Sequence, residues 1–139
     1  MNYLNKLYTF NCINNHFCVD FTISNNTTET NHYILNVTIK SINTTNIDKK
    51  INDEYKSIKL NKNSNHVYKS NWINVTNEFY YKNYIIQKIK IMLKFRNDNI
   101  SNVSSLYIKC ICPHNKKERN FAFNLEKISE INKSDVNYF

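Results

Sequence analysis

The chain contains no glycine in its 139 residues. Glycine is the residue that enters the left-handed backbone region without steric cost, so its absence restricts every turn. Asn and Asp tolerate that region best among the remaining residues, and turns are expected at Asn25-Asn26, at residues 61–65 and at Asn97-Asp98-Asn99. The same absence removes whole classes of chemistry. A phosphate-cradling P-loop, a dinucleotide-binding fingerprint and a nucleophile elbow all need glycine where the backbone turns sharply or approaches a ligand.

Between the expected turns lie runs that alternate apolar and polar residues, the period of a half-buried strand. Residues 17–23 place Phe17, Val19, Phe21 and Ile23 on one face, and residues 33–42 do the same through Tyr33, Leu35, Val37 and Ile39. Residues 55–60 form a short, half-polar run. Residues 106–112 align Leu106, Ile108, Cys110 and Cys112, and residues 121–125 alternate again. Residues 76–96 carry two signals. Thr76 suits a helix cap, which predicts a short helix over 76–84. After it, Ile89, Ile91, Leu93 and Phe95 alternate with Lys88, Lys90 and Lys94, which predicts a strand. The expected fold is mainly β: an antiparallel β-sandwich with one short helix after Thr76. A chain of this length holds one domain, expected over 1–139, with its sandwich core at about 8–128.

Ile, Tyr, Phe and Val dominate the 41% apolar fraction, as a pleated surface favours. Asn, Lys, Ile and Tyr are all written with AT-rich codons, so a biased genome alone produces much of this composition. The formal net charge of +8 is therefore read first as a solvated Lys surface, with nucleic-acid binding as the alternative. Arg, the residue of planar forks to bases and phosphates, occurs only as Arg96 and Arg119. The most apolar run, 84–95, is short and carries Lys88, Lys90 and Lys94, so no transmembrane span is expected. Residues 1–12 lack the apolar core of a signal peptide, so a secreted location requires a leader upstream of this chain.

Two features favour an oxidising compartment. Glycosylation sequons begin at Asn25, Asn26, Asn36, Asn43, Asn74, Asn99, Asn102 and Asn132. The cysteines are even in number and form two close pairs, Cys12 with Cys18 and Cys110 with Cys112. On a strand, Cα atoms two residues apart lie about 6.5–7 Å from each other, at or beyond the limit for a mutual disulfide. Cys110 and Cys112 are thus expected to seek other partners: Cys12 and Cys18, the same residues of a second chain, or zinc together with His16 or His114. Disulfides are the first expectation, ahead of zinc, whose ligands are usually two to four residues apart, and of free buried thiols. Pro113 and a charged loop at 114–120 put the pair at an exposed strand end, which suits a cross-link between chains.

Trp72, the sole tryptophan, is expected as a core anchor with Phe21, Leu35 and Ile108. A glycan on Asn74 would conflict with this, since residues two apart on a strand share a face. No enzyme is expected and no cofactor. Asp20, Asp53, Glu54 and Asp98 read as solvated charges, and His16, His32, His66 and His114 lack metal-helix or triad spacing.

The order of these motifs resembles the arm domain of transforming growth factor beta superfamily propeptides, of the activin-like and latency-associated kind. Residues 17–23 and 33–40 look like its opening strands. Ser57-Ile58-Lys59-Leu60 followed by Trp72-Ile73-Asn74-Val75-Thr76 looks like its strand and its Trp…Asp-Val-Thr signature, with Trp72, Val75 and Thr76 as the signature positions. Residues 106–112, a charged turn and residues 121–125 look like the closing strands. Asn74 departs from the family's Asp, and the span from Thr76 to Cys110 is longer than usual. No Arg-x-x-Arg cleavage site follows, and an Arg-Gly-Asp site is impossible without glycine. The resemblance implies a secreted, glycosylated, non-catalytic module. Its partners would be a growth-factor domain and a second propeptide chain, in a homodimer linked through Cys110 and Cys112. It would assist growth-factor folding and shield the factor from receptors. The alternative expectation is a stand-alone β-sandwich that binds nucleic acid or a host protein through a basic surface.

Overall fold

The structure is a computed structural model that describes residues 4–11, 17–25, 33–41, 53–64, 66–96, 99–101 and 103–125. Among these residues the chain forms eleven strands and no helix. They are β1 Tyr8–Asn11, β2 Phe17–Asn25, β3 Tyr33–Ser41, β4 Glu54–Ser64, β5 Val67–Lys69, β6 Ile73–Asn74, β7 Tyr80–Tyr81, β8 Tyr84–Arg96, β9 Asn99–Ile100, β10 Ser105–Ile111 and β11 Glu118–Asn124. Every pairing among them is antiparallel.

The two-residue period decides which side chains enter the core. Phe17, Val19, Phe21 and Ile23 of β2 are buried, as are Tyr33, Leu35, Val37 and Ile39 of β3. In β8 the inner residues are Ile89, Ile91, Leu93 and Phe95, and in β10 they are Leu106, Ile108 and Cys110. Each such large apolar side chain contributes roughly 1.5–3 kcal/mol when withdrawn from water.

The hydrogen-bonded path runs β1-β2-β3-β4-β5-β8-β10-β11, with β6, β7 and β9 each paired to β8. β4 serves two layers. Its residues 54–60 pair with β3 and its residues 61–64 with β5, with a register shift between Lys62 and Ser64. A strand that changes layer at a bulge is how a sandwich turns its corner. Rings from distant parts of the path meet across the interior. Phe17 of β2 stands edge-on to Tyr81 of β7 at 6.1 Å and to Phe123 of β11 at 6.4 Å. β2 bonds to neither strand, so the layer of β1–β3 faces the layer built on β8, β10 and β11. Tyr33, Tyr68 and Phe95 close the same interface further along, with centroids 5.1 and 5.5 Å apart.

Residues 76–84 are not helical. Phe79 and Tyr81 are 2% and 0% exposed, and both face the core because they lie two apart on an extended chain. A helix would turn them to opposite sides. Tyr80–Tyr81 instead folds back onto Tyr84 and Ile85 around Lys82-Asn83, with Lys82 at φ 54°. The strand expected after the helix is present and longer than the alternation indicated. The turn expected at 61–65 also moves: Asn61 to Ser64 remain in β4, and His66, at φ 71°, carries the reversal. Asn26, Asn97 and Asp98 lie outside the described residues. Among the described residues no helix is long and apolar enough to cross a membrane.

Candidate functional site

The chain leaves the β4–β5 hairpin in two layers. Asn61 and Lys62 pair with Lys69 and Tyr68, but beyond them the two arms part. Residues 54–60 stay with β3. Residues 70–75 attach to β8 instead, with Ser70 N–H donating to the Ile91 carbonyl and Val75 N–H to the Gln87 carbonyl, both at 2.9 Å. Between the arms opens a cleft of about 500 Å³ lined by Lys56, Ile58, Lys59, Asn71, Trp72, Ile73 and Asn74.

Beyond the cleft, Glu54 ties the two arms together again. Its carboxylate, 5% exposed, accepts the Thr76 N–H at 3.0 and 2.9 Å and the Asn77 N–H at 2.6 Å. Lys56 Nζ stands 3.5 Å away. Burial pushes the carboxyl pKa up, but the N–H groups of Asn77 and Thr76, the Thr76 hydroxyl and the Lys56 charge together hold it below the ordinary glutamate value. Glu54 is therefore a buried clasp between layers and not the solvated charge its sequence context suggested. Asp20 is also partnered, accepting from Thr9 Oγ1 at 2.8 Å and pairing with Lys40 at 3.0 Å.

Trp72 is not a core residue. Ile73 takes the buried position, so Trp72 and Asn74 both point outward, and the conflict between a core Trp72 and an exposed Asn74 disappears. The half-buried indole lies beneath two ammonium groups, Lys109 Nζ at 4.9 Å and Lys90 Nζ at 5.7 Å from the ring centroid. Strand register explains this gathering. Ile73 pairs with Ile89, and Ile89 with Ile108, so one step along Trp72, Lys90 and Tyr107 form a row on the outer face. In the next row Asn74 pairs with Lys88, which pairs with Lys109. The result is a basic strip with two aromatic rings. A second hollow of about 610 Å³, lined among others by Asn74, Gln87, Lys88, Lys109 and Glu118, continues it.

Val75 and Thr76, the positions at which the resemblance would put its signature, serve the fold: Val75 packs partly against the core and Thr76 holds Glu54. Cys18, Cys110 and Cys112 form no disulfide, and Cys12 lies outside the described residues. A bond between Cys18 and Cys110, one of the pairings the sequence allowed, is not formed. Cys110 sits on the core face at 0% exposure, whereas Cys18 alternates with Phe17 and Val19 and leaves β2 on the other side. Cys110 and Cys112 do not share a strand face either, because β10 ends at Ile111 and Cys112 belongs to the turn that follows. Cys110 is thus enclosed, and only Cys112 of the two is reachable. The N–H groups of Asn115 and His114 hold the Cys112 thiol pKa below its ordinary value, with a smaller contribution from Lys116. Burial, with Asp20 nearby, pushes the Cys18 thiol up. No group of three or more His, Cys, Asp or Glu side chains converges among the described residues, and His16 and His32 lie outside them.

The sequons differ in their surroundings. Asn74 and Asn99 are exposed. Asn36 is tied into a polar cluster on the outside of β3: its amide oxygen accepts Tyr55 Oη at 2.8 Å and Ser57 Oγ at 3.0 Å, and its Nδ2 donates to Ser24 Oγ at 3.3 Å. Asn25 closes β2, and Asn26, Asn43, Asn102 and Asn132 lie outside the described residues.

Sequence reasoning singled out neither the Trp72 strip nor the cleft. The Lys88–Lys90–Lys94 alternation was the available signal for a basic face; that Trp72 lands on it follows only from the pairing of β6 with β8. No family model matches the chain, and comparisons with curated proteins and with solved structures return no match.

Proposed function

We propose that this protein is a non-catalytic binding module that captures a single-stranded nucleic acid on the outer face of β6, β8 and β10. The observation that carries the reading is Trp72, half-buried and gathered with Lys90 and Lys109 on one sheet face. Sequence-tolerant binding of single strands combines aromatic surfaces for bases with a positive track for the backbone. Here Trp72 and Tyr107 supply the rings, and Lys88, Lys90 and Lys109 supply the charges. Lysines act as point charges and need no planar fork, so the scarcity of Arg argues against sequence-specific base readout but not against this mode. A flat sheet face also suits an unstacked strand better than a duplex groove.

The test is a titration with a labelled single-stranded oligonucleotide, read by anisotropy and by quenching of the sole tryptophan. Binding should saturate, quench Trp72 and weaken steeply with salt. Trp72→Ala should weaken it by about 1–3 kcal/mol. Saturable binding of an acidic peptide but not of the oligonucleotide would replace this reading with a protein-partner one.

One observation favours a second reading, the covalent homodimer that the propeptide resemblance implies. Cys112 is a reachable thiol at a turn, with its pKa lowered by neighbouring N–H groups. In this reading the inter-chain bond uses Cys112 alone. A non-reducing gel of secreted material tests it: Cys112→Ser should abolish the dimer band, and a persisting band would reject the reading.

A further inference from the structure

We infer that the cleft between β4 and residues 70–76 is an end-binding subsite, which takes the terminal, phosphate-bearing nucleotide of a single strand. This rests on the strand-binding reading of the Trp72 face and specifies which part of the ligand goes where.

The shape of the cleft argues for an end. The two arms that bound it are joined beyond one extremity by the hairpin pairing of Asn61 with Lys69, and beyond the other by the Glu54 clasp on Thr76 and Asn77. A strand lying on the sheet face does not run straight through a cleft whose arms are joined in this way. An end enters such a cleft directly, whereas an internal nucleotide would need a sharp loop to enter and leave by the same side. The volume of about 500 Å³ falls in the range of small-ligand sites and admits a single nucleotide.

The lining matches the chemistry of that terminus. A phosphate monoester carries about −1.5 to −2 charges at neutral pH, more than the single charge of an internal diester. Lys56 and Lys59 of β4 face it with two positive charges. The Lys56 side chain is 30% exposed, so it is partly desolvated yet within reach of a ligand. The nearby carboxylate of Glu54 is engaged by two backbone N–H groups and by Lys56 Nζ at 3.5 Å, so Lys56 would serve Glu54 and the phosphate together while Lys59 serves the phosphate. Ile58 and Ile73 provide apolar wall for sugar and base, Trp72 stands at the rim, and the amides of Asn71 and Asn74 offer both donors and acceptors to a base edge.

The experiment compares four forms of one oligonucleotide sequence: linear with a 5′-phosphate, linear with a 3′-phosphate, linear with both ends hydroxyl, and covalently circular. Quenching of Trp72 reports binding in each. One phosphorylated form should bind about tenfold more tightly than the hydroxyl-ended form, the worth of one additional charge-assisted contact. The circle should bind no more tightly than the hydroxyl-ended form. A free nucleoside monophosphate should compete away the gain. In K56Q/K59Q the differences among the four forms should vanish, and K59Q alone, at an exposed position, should reduce them. Equal binding of all four forms by the unsubstituted protein would overturn the end-binding inference and leave the sheet-face reading intact. Retention of the phosphate preference in K56Q/K59Q would overturn it as well. Failure of every form to bind, the circle included, would overturn both.

Discussion

Both carboxylate oxygens of Glu54 accept the N–H of Thr76, 22 residues further along the chain, at 3.0 and 2.9 Å. The contact crosses between layers at the point where β4 and the chain after β5 have separated. The carboxylate is withdrawn from water although Thr76 is an exposed residue, and a buried acceptor left unmatched there would cost more than the bond gains. Glu54→Gln should destabilise the fold by on the order of 2 kcal/mol, measured by denaturant unfolding. The pH dependence has a definite sign. The folded pKa of Glu54 lies below the ordinary value of 4.5, so the unfolded chain takes up the proton first as pH falls. The contribution is complete above that value and is lost as pH falls through it toward the folded pKa. The wild-type protein should lose stability in that acid window, and Glu54→Gln should lose less.

Trp72 and Ile73 are neighbours with opposite fates. Ile73→Ala should cost about 2–5 kcal/mol, because it empties a buried position between β6 and the core. Trp72→Ala should cost well under that in stability, while losing oligonucleotide binding. Comparable thermal losses for the two would mean that Trp72 is a packing residue.

The strand-binding face should show its charges in the salt slope. Each of Lys90→Gln and Lys109→Gln should reduce the slope of log affinity against log salt by about 1. Lys40→Gln, which removes the ion pair with Asp20 on β2, should leave the slope unchanged.

The thiols should separate by reactivity. In a Cys12→Ser background, the native protein should label rapidly at Cys112 and slowly at Cys18 and Cys110, which react only on unfolding. Peptide mapping after a short pulse of a thiol reagent checks this. Rapid labelling at Cys110 would contradict its enclosure in the core.

The missing glycine leaves a correctable strain. Lys116 adopts φ 60° with its N–H donating to the Cys112 carbonyl at 2.9 Å. Lys116→Gly retains that bond and removes the Cβ conflict, so it should stabilise the fold by about 1 kcal/mol in chemical denaturation.

The sequence by itself determined the class of fold and most of the core. Strand alternation depends only on neighbouring residues, so the inward side chains were legible in β2, β3 and β8, and in β10 as far as Cys110; Cys112, expected on the same face, lies beyond the end of the strand. The absence of glycine could be read too, but not where the left-handed residues would fall: Asn5 fits the expectation, whereas His66, Lys82 and Lys116 do not. Local reading failed at Thr76, where a cap signal predicted a helix. There the N–H groups were taken by Glu54, and Phe79 and Tyr81 gained more by entering the core together. Only the tertiary structure decided that Trp72 joins Lys90 and Lys109, that Cys110 is enclosed while Cys112 is reachable, and that a cleft opens between β4 and residues 70–76. Each of these depends on which strand pairs with which and in what register. That choice is made by non-local burial and hydrogen bonding, for which one chain's local pattern carries no signal.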